Sequence, residues 1–154
     1  MYDRNQNIWR GRFFRYAPLI VWIGVVLLAS TVLGAMSNTS RFIRPFLVFL
    51  FPNAPEETLQ IYHNYIRKFA HFAEYGILAF WASRAFSTSS AKLLRKYWFI
   101  FAFLTVIFIA SIDEYNQSFN SLRTGSGYDV LLDCAGGLTI TFIFAIWKIR
   151  VKER

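Results

Sequence analysis

Six ionisable side chains flank or interrupt long apolar runs in this chain. His71 and Glu74 lie at the start of one run, Asp113 and Glu114 end another, and Asp129 and Asp133 open a third. An ionised group at the centre of a membrane helix costs roughly 2.5–3.5 kcal/mol even on lenient insertion scales. A chain that carries six such groups around its apolar runs has a use for them. With Lys68, Tyr75, Gln117 and Arg123 they form the set that phosphoester chemistry needs. Lys68 and Arg123 can hold a phosphate, Arg123 through a bidentate fork. His71 can act as general acid/base or nucleophile, oriented by Asp113 or Glu114. Asp129 and Asp133 can orient the cations, or bind a divalent cation together with Glu114 through hard oxygen ligands.

Helical spacing places several of these residues on shared faces. Lys68, His71 and Tyr75 are related as i, i+3 and i+7, while Asp113/Gln117 and Asp129/Asp133 are i, i+4 pairs. Gly125 and Gly127 give the segment 121–128 the freedom to fold Arg123 back over the others. Each residue alone also fits an ordinary role. His71 suits an interface, Lys68 a snorkelling cation, and Asp113 and Glu114 a helix end in water. Arg123 suits a lipid phosphate, and Asp129 a helix N-terminus. Asp133 is the hardest to explain so simply, because it stands a full turn inside its apolar run.

The elements that must position these groups are membrane helices. The 154 residues are 55% hydrophobic and 19% aromatic, with positive mean hydropathy. That apolar share exceeds the ~45–50% usual in soluble domains and is concentrated in long runs. Four spans are expected, at about 17–35, 69–86, 97–112 and 129–147, with the third able to continue helically through Asp113–Gln117. In the fourth, Gly137, Thr141 and Ala145 recur at the spacing that lets membrane helices approach closely. Phe42–Phe51 is too short to cross and contains Arg44 and Pro45, so it reads as a re-entrant or interfacial segment. The first run exceeds the ~7–15 residues of a signal-peptide core, so it reads as an uncleaved anchor despite Ala35 and Ser37 at cleavage-like spacing. The expected architecture is therefore all-α: one transmembrane domain over residues 1–154, an integral membrane four-helix bundle.

Charge sets its orientation. Arg4, Arg10, Arg12, Arg15, Arg84, Lys92, Arg95, Lys96, Lys148, Arg150, Lys152 and Arg154 gather on one side. The other side has only Arg41, Arg44, Arg67, Lys68 and Arg123, set against Glu56, Glu57, Glu74, Asp113, Glu114, Asp129 and Asp133. The positive-inside rule puts both termini in the cytoplasm and the polar groups at the outer interface. The net charge of +8 does not point to nucleic acid, because basic residues at the ends of apolar runs set topology and touch anionic lipid. The single cysteine, Cys134, excludes an intramolecular disulfide, and no Cys/His spacing suggests structural zinc.

The stretches "RKFAHFAEYGILAF" and "SIDEYNQSFNSLRTGSGYDVLLDCAGG" resemble the VanZ-like family of small bacterial membrane proteins. The family pattern is K-x-x-H-x-x-x-Y, then D-E-x-x-Q, an arginine, and D-x-x-x-[ND]-x-x-G. It is matched by Lys68, His71 and Tyr75, by Asp113, Glu114 and Gln117, by Arg123, and by Asp129, Asp133 and Gly136, within residues 67–137. Asn116 stands where a histidine is common, which removes a second histidine from the motif. The resemblance implies a multi-pass protein of the bacterial inner membrane, linked to resistance to the glycopeptide teicoplanin, and brings no established reaction. Two functions follow as expectations. One is a phosphoester hydrolase or transferase acting on a lipid-linked phosphate or envelope precursor at the outer leaflet. The other is a non-catalytic module whose polar cluster binds antibiotic, precursor or partner protein. Proton or solute transport is disfavoured, because the inner halves of the spans carry almost no polar groups.

Overall fold

The computed structural model describes residues 3–31, 36–119 and 127–152. Among these residues every regular element is a helix: α1 (Asp3–Ala29), α2 (Met36–Leu50), α3 (Glu56–Ser87), α4 (Lys92–Lys96), α5 (Trp98–Ser118) and α6 (Gly127–Lys152). Three of them are long and apolar enough to cross a membrane: α1 over Gly11–Ala29, α5 over Trp98–Ser118 and α6 over Gly127–Val151. α3 is longer still but carries His71, Glu74 and Arg84 among its apolar residues, which dilutes its hydropathy. It begins at Glu56, well before the expected start near residue 69. Pro52 and Pro55 end the preceding turn, and Glu56 and Glu57 complement the dipole of the new helix.

α3 is the central helix, in contact with α1, α2, α4, α5 and α6. Its buried face is Tyr75, Leu78, Ala79, Ala82 and Ala85, packed against Ala102, Val106, Ile109 and Ala110 of α5 and Leu19 and Val26 of α1. The core is thus built largely from small residues. Large apolar side chains lie outside, among them Phe99, Leu104 and Phe108 of α5 and Leu138, Phe142 and Trp147 of α6. A protein in water would reverse that distribution. In lipid the tails are as apolar as leucine, so close backbone packing drives association.

The tightest approach is between α3 and α6, which run parallel. A Cβ on Gly136 would stand 2.2 Å from the Phe72 carbonyl oxygen, and one on Gly76 would stand 2.9 Å from Ile140. On the opposite flank, a Cβ on Gly137 would meet Val106 of α5 at 2.6 Å. The hydroxyls of Thr105, Ser111, Thr139 and Thr141 each donate to the carbonyl four residues back, so apolar helices can carry them.

Proline placement shows the same accounting. Pro18 lies inside α1 and has no N–H to give the Phe14 carbonyl. Arg84 of α3 donates to that carbonyl instead, at 3.4 Å. α2 extends from Met36 through Pro45, longer than the ten-residue apolar segment from which it was expected. Leu47 faces α3 and is buried, while Phe42, Phe46 and Phe49 form an exposed stripe on the far side. Arg44 clamps Glu56 with two hydrogen bonds, at 3.1 and 2.8 Å. Buried His63 has Thr39 and Ser40 hydroxyls at 3.1 and 3.3 Å from its ring nitrogens.

Two outcomes follow. Gly136→Ala should destabilise the protein by about 1–3 kcal/mol, since overpacking here meets backbone rather than a movable side chain. Gly24→Ala, with open space around it, should change stability by no more than about 1 kcal/mol, and upward. Thermal unfolding in detergent checks both. Burial and, secondarily, Arg67 hold the His63 pKa below its ordinary value, so folding favours the neutral ring. Its contribution is whole above the unfolded value of about 6.5 and is lost as pH falls through the lower folded value. Hydrogen exchange of α2, corrected for intrinsic rates, should accelerate on acidification, and His63→Gln should remove that dependence.

Candidate functional site

The buried end of the bundle gathers polar side chains from four helices. Tyr75 of α3 is fully buried and donates through its hydroxyl to Asp113 Oδ2 of α5 at 2.9 Å. Gln117, one turn further along α5, donates through Nε2 to Asp113 Oδ1 at 2.8 Å. Ser30, just past the end of α1, donates to the Asp113 backbone carbonyl at 3.3 Å. Asp113 is thereby held by side chains on both sides of its carboxylate, and is 2% exposed.

His71 stands one turn before Tyr75, and its Nδ1 lies 3.6 Å from Oδ1 of Asp133 on α6. That separation is too long for a hydrogen bond. Both atoms are buried and lack a hydrogen-bond partner among the described residues. Asp133 itself is 1% exposed. One ligand atom each from His71, Asp113 and Asp133 fall within 4.8 Å of one another. Among the described residues, these are the ones grouped so as to be able to hold a metal ion.

A cavity of about 150 Å³ opens beside this cluster, lined by Val26, Ala29, Ser30, Thr39, Arg67, Ala70, His71, Glu74 and Asp113. It has room for several waters or a phosphate-sized group. A second cavity, of about 230 Å³, lies between α2 and α3 around Arg44, Glu56 and His63. It is larger, but its charged walls are already paired with each other, and the clustered donors lie elsewhere.

The structure brings together His71, Tyr75, Asp113, Gln117 and Asp133. Asp129 is half-buried one turn before Asp133, and Glu114 is half-buried beside Asp113, turned about 100° around α5 by the helical pitch. Neither lines the cavity. Lys68 is exposed, as a long cation can remain. Arg123 lies outside the described residues. The carboxylate facing His71 is Asp133, whereas spacing had offered Asp113 or Glu114.

Sequence reasoning passed over Arg67, Ser30 and Thr39 as site residues. Arg67, His71 and Glu74 are related as i, i+4 and i+7, so the signal for Arg67 was present. It competed with the equally regular set Lys68, His71, Tyr75. Ser30 and Thr39 carry no such signal, because only the docking of α1 and α2 brings them near.

Tyr75→Phe should cost roughly 1.5–3 kcal/mol, the range for a buried hydrogen bond to a charged acceptor. Chemical denaturation of the variant in micelles measures it, with helical content before unfolding as the control.

Three comparisons bear on identity. A family model described as VanZ/LLP1 matches residues 14–148, which takes in α2 to α5, most of α1 and α6, the cluster and the cavity. Comparison with curated proteins and with solved structures finds no match. With apolar helices built to cross a bilayer and that family match over most of its length, the chain belongs to the VanZ/LLP1 family of membrane proteins.

Proposed function

We propose that the chain is a cell-envelope protein of the bacterial inner membrane, with a chamber that receives the phosphate-bearing headgroup of a lipid-linked component at the outer leaflet. In this reading α1, α3, α5 and α6 form a four-helix bundle with both termini in the cytoplasm, as the basic residues on one side favour. α2 lies at the outer interface with Phe42, Phe46 and Phe49 toward the acyl chains. The observation that carries the proposal is the gathering of half-buried His71 with buried Tyr75, Asp113, Gln117 and Asp133 beside one cavity, in an apolar bundle where unused polar groups are costly.

The enzymatic form is phosphoester hydrolysis or transfer. His71 moves the proton, and Asp133 orients it as the carboxylate that faces its ring. Asp113 fixes the wall of the site through Tyr75 and Gln117. Glu114 and Asp129 add negative charge at its flank. Arg67 contributes a cation from the cavity wall, and Lys68 and Arg123 are the further cations that a phosphate would draw on. A link to teicoplanin-type resistance would then act through the envelope precursor that the chamber holds.

One observation favours a second, non-catalytic reading. Both Asp113 oxygens already accept hydrogen bonds that tie α3 to α5 and brace α5 itself, as a structural anchor would require. The cluster would then hold the bundle in the shape that binds precursor or partner.

Phosphate release from lipid phosphates by purified protein separates the two. The catalytic reading expects His71→Ala to lose at least ~100-fold in turnover, with a melting temperature close to wild type. Undiminished turnover in His71→Ala, or no turnover in the wild type, removes the catalytic assignment. If the variant keeps its fold and still loses resistance in cells, a purely structural role for His71 fails as well.

A further inference from the structure

We infer that His71, Asp113 and Asp133 form a site for one divalent transition-metal ion. The inference goes beyond the headgroup reading and stands without it, because it rests on the geometry of three side chains. Their donor atoms lie within 4.8 Å of one another, just above the ~4.4 Å limit for two ligands held about 2.2 Å from one ion, so a small side-chain adjustment brings all three onto it. His71 Nδ1 and Asp133 Oδ1, 3.6 Å apart, are too far apart to bond each other. Ligand bonds of about 2.0–2.2 Å bridge that gap at an angle of roughly 110–120°, near tetrahedral.

Three further observations point the same way. Asp133 is almost completely buried, and its Oδ1 lacks a hydrogen-bond partner among the described residues. A buried carboxylate normally has a partner, and a bound ion is one of the standard partners where no protein donor serves. Next, Asp113 and Asp133 bring two negative charges into an apolar bundle. Tyr75 and Gln117 are neutral donors to Asp113 and do not cancel its charge. One divalent ion neutralises both carboxylates while the imidazole stays neutral as a ligand. Finally, Tyr75 and Gln117 stand where second-layer groups stand around metal-binding carboxylates, fixing the orientation of Asp113 from behind.

The donor set selects among ions. One imidazole nitrogen and two carboxylates suit zinc, manganese, cobalt or ferrous iron. Calcium would want six to eight oxygens. Three protein ligands leave a position open, and His71 and Asp113 both line the cavity, so that position faces the space a headgroup would enter. An ion there would supply positive charge to a cavity whose walls hold Glu74 and Asp113 beside Arg67. It would take the place of the proton that the acid/base reading puts between His71 and Asp133, so the two occupants exclude each other.

Cobalt(II) titration of tag-free protein in phosphate-free detergent tests the site directly. The expected result is one equivalent bound per chain, with visible d–d absorption that zinc abolishes. Asp133→Asn and His71→Gln should each weaken binding at least about tenfold. His63→Gln, outside the cluster, should bind as wild type. X-ray absorption of the zinc-loaded wild type should show one imidazole with oxygen donors, a readout that does not depend on any variant folding. Wild type that binds no equivalent, a sulfur or multiple-histidine shell, or a His63 variant that alone loses the ion would overturn the proposal. Because no lipid is present, failure here leaves the headgroup reading standing, and failure of the lipid-phosphate assay leaves the ion site standing.

Discussion

The contact on which the rest depends is the meeting of α3 and α6 at Phe72 and Gly136. There the backbones approach so closely that a single methyl group would overlap a carbonyl oxygen. His71 is the neighbour of Phe72, and Asp133 lies one turn before Gly136. The backbone contact therefore sets the 3.6 Å separation of their side chains. A bulkier residue at 136 would push α6 outward and carry Asp133 away from the histidine. Packing and site geometry are two readings of one distance.

The bundle solves the membrane problem by placing bulk outside and small residues within. Ala79, Ala82, Ala85, Ala102 and Ala110 are fully buried, so the helices can stand close enough to enclose polar groups. Hydroxyls satisfied within their own helix add no demand on neighbours. Among the described residues, polar links between helices occur toward both ends. Tyr16 bonds Ser89 at one end, and the Asp113 network occupies the other. Trp22 reaches from α1 to the Glu74 carbonyl at the edge of that network.

The residues of the network divide by how fully they are used. Asp113 is held in place by Tyr75 and Gln117, one donor on each oxygen, which leaves further lone pairs for a ligand. His71 and Asp133 keep unbonded atoms turned toward each other, which suits something that arrives, whether proton or ion. A protein under selection for stability alone would have closed that gap, since unpaired buried groups cost about 1–3 kcal/mol each. That gap is the feature on which the ion proposal is built.

Much of this was legible in the sequence. Apolar runs revealed the membrane helices, because hydrocarbon admits few other structures. Polar residues at helical spacing within those runs marked His71, Tyr75, Asp113, Gln117 and Asp133. Spacing could not choose between the stripes through Lys68 and through Arg67, since both are regular and only the neighbouring helices decide which faces inward. Nor could it pair His71 with Asp133 rather than Asp113, as all three were expected at one depth. The length of α3 was hidden as well, because its first turns are polar and gain their helical stability from α2 rather than from lipid. Local chemistry along the chain determined which groups must be sheltered and which helices cross. The partner each group meets was decided only by the tertiary structure, because that depends on how near two backbones come, and glycines at 76, 136 and 137 set that distance across helices far apart in the chain.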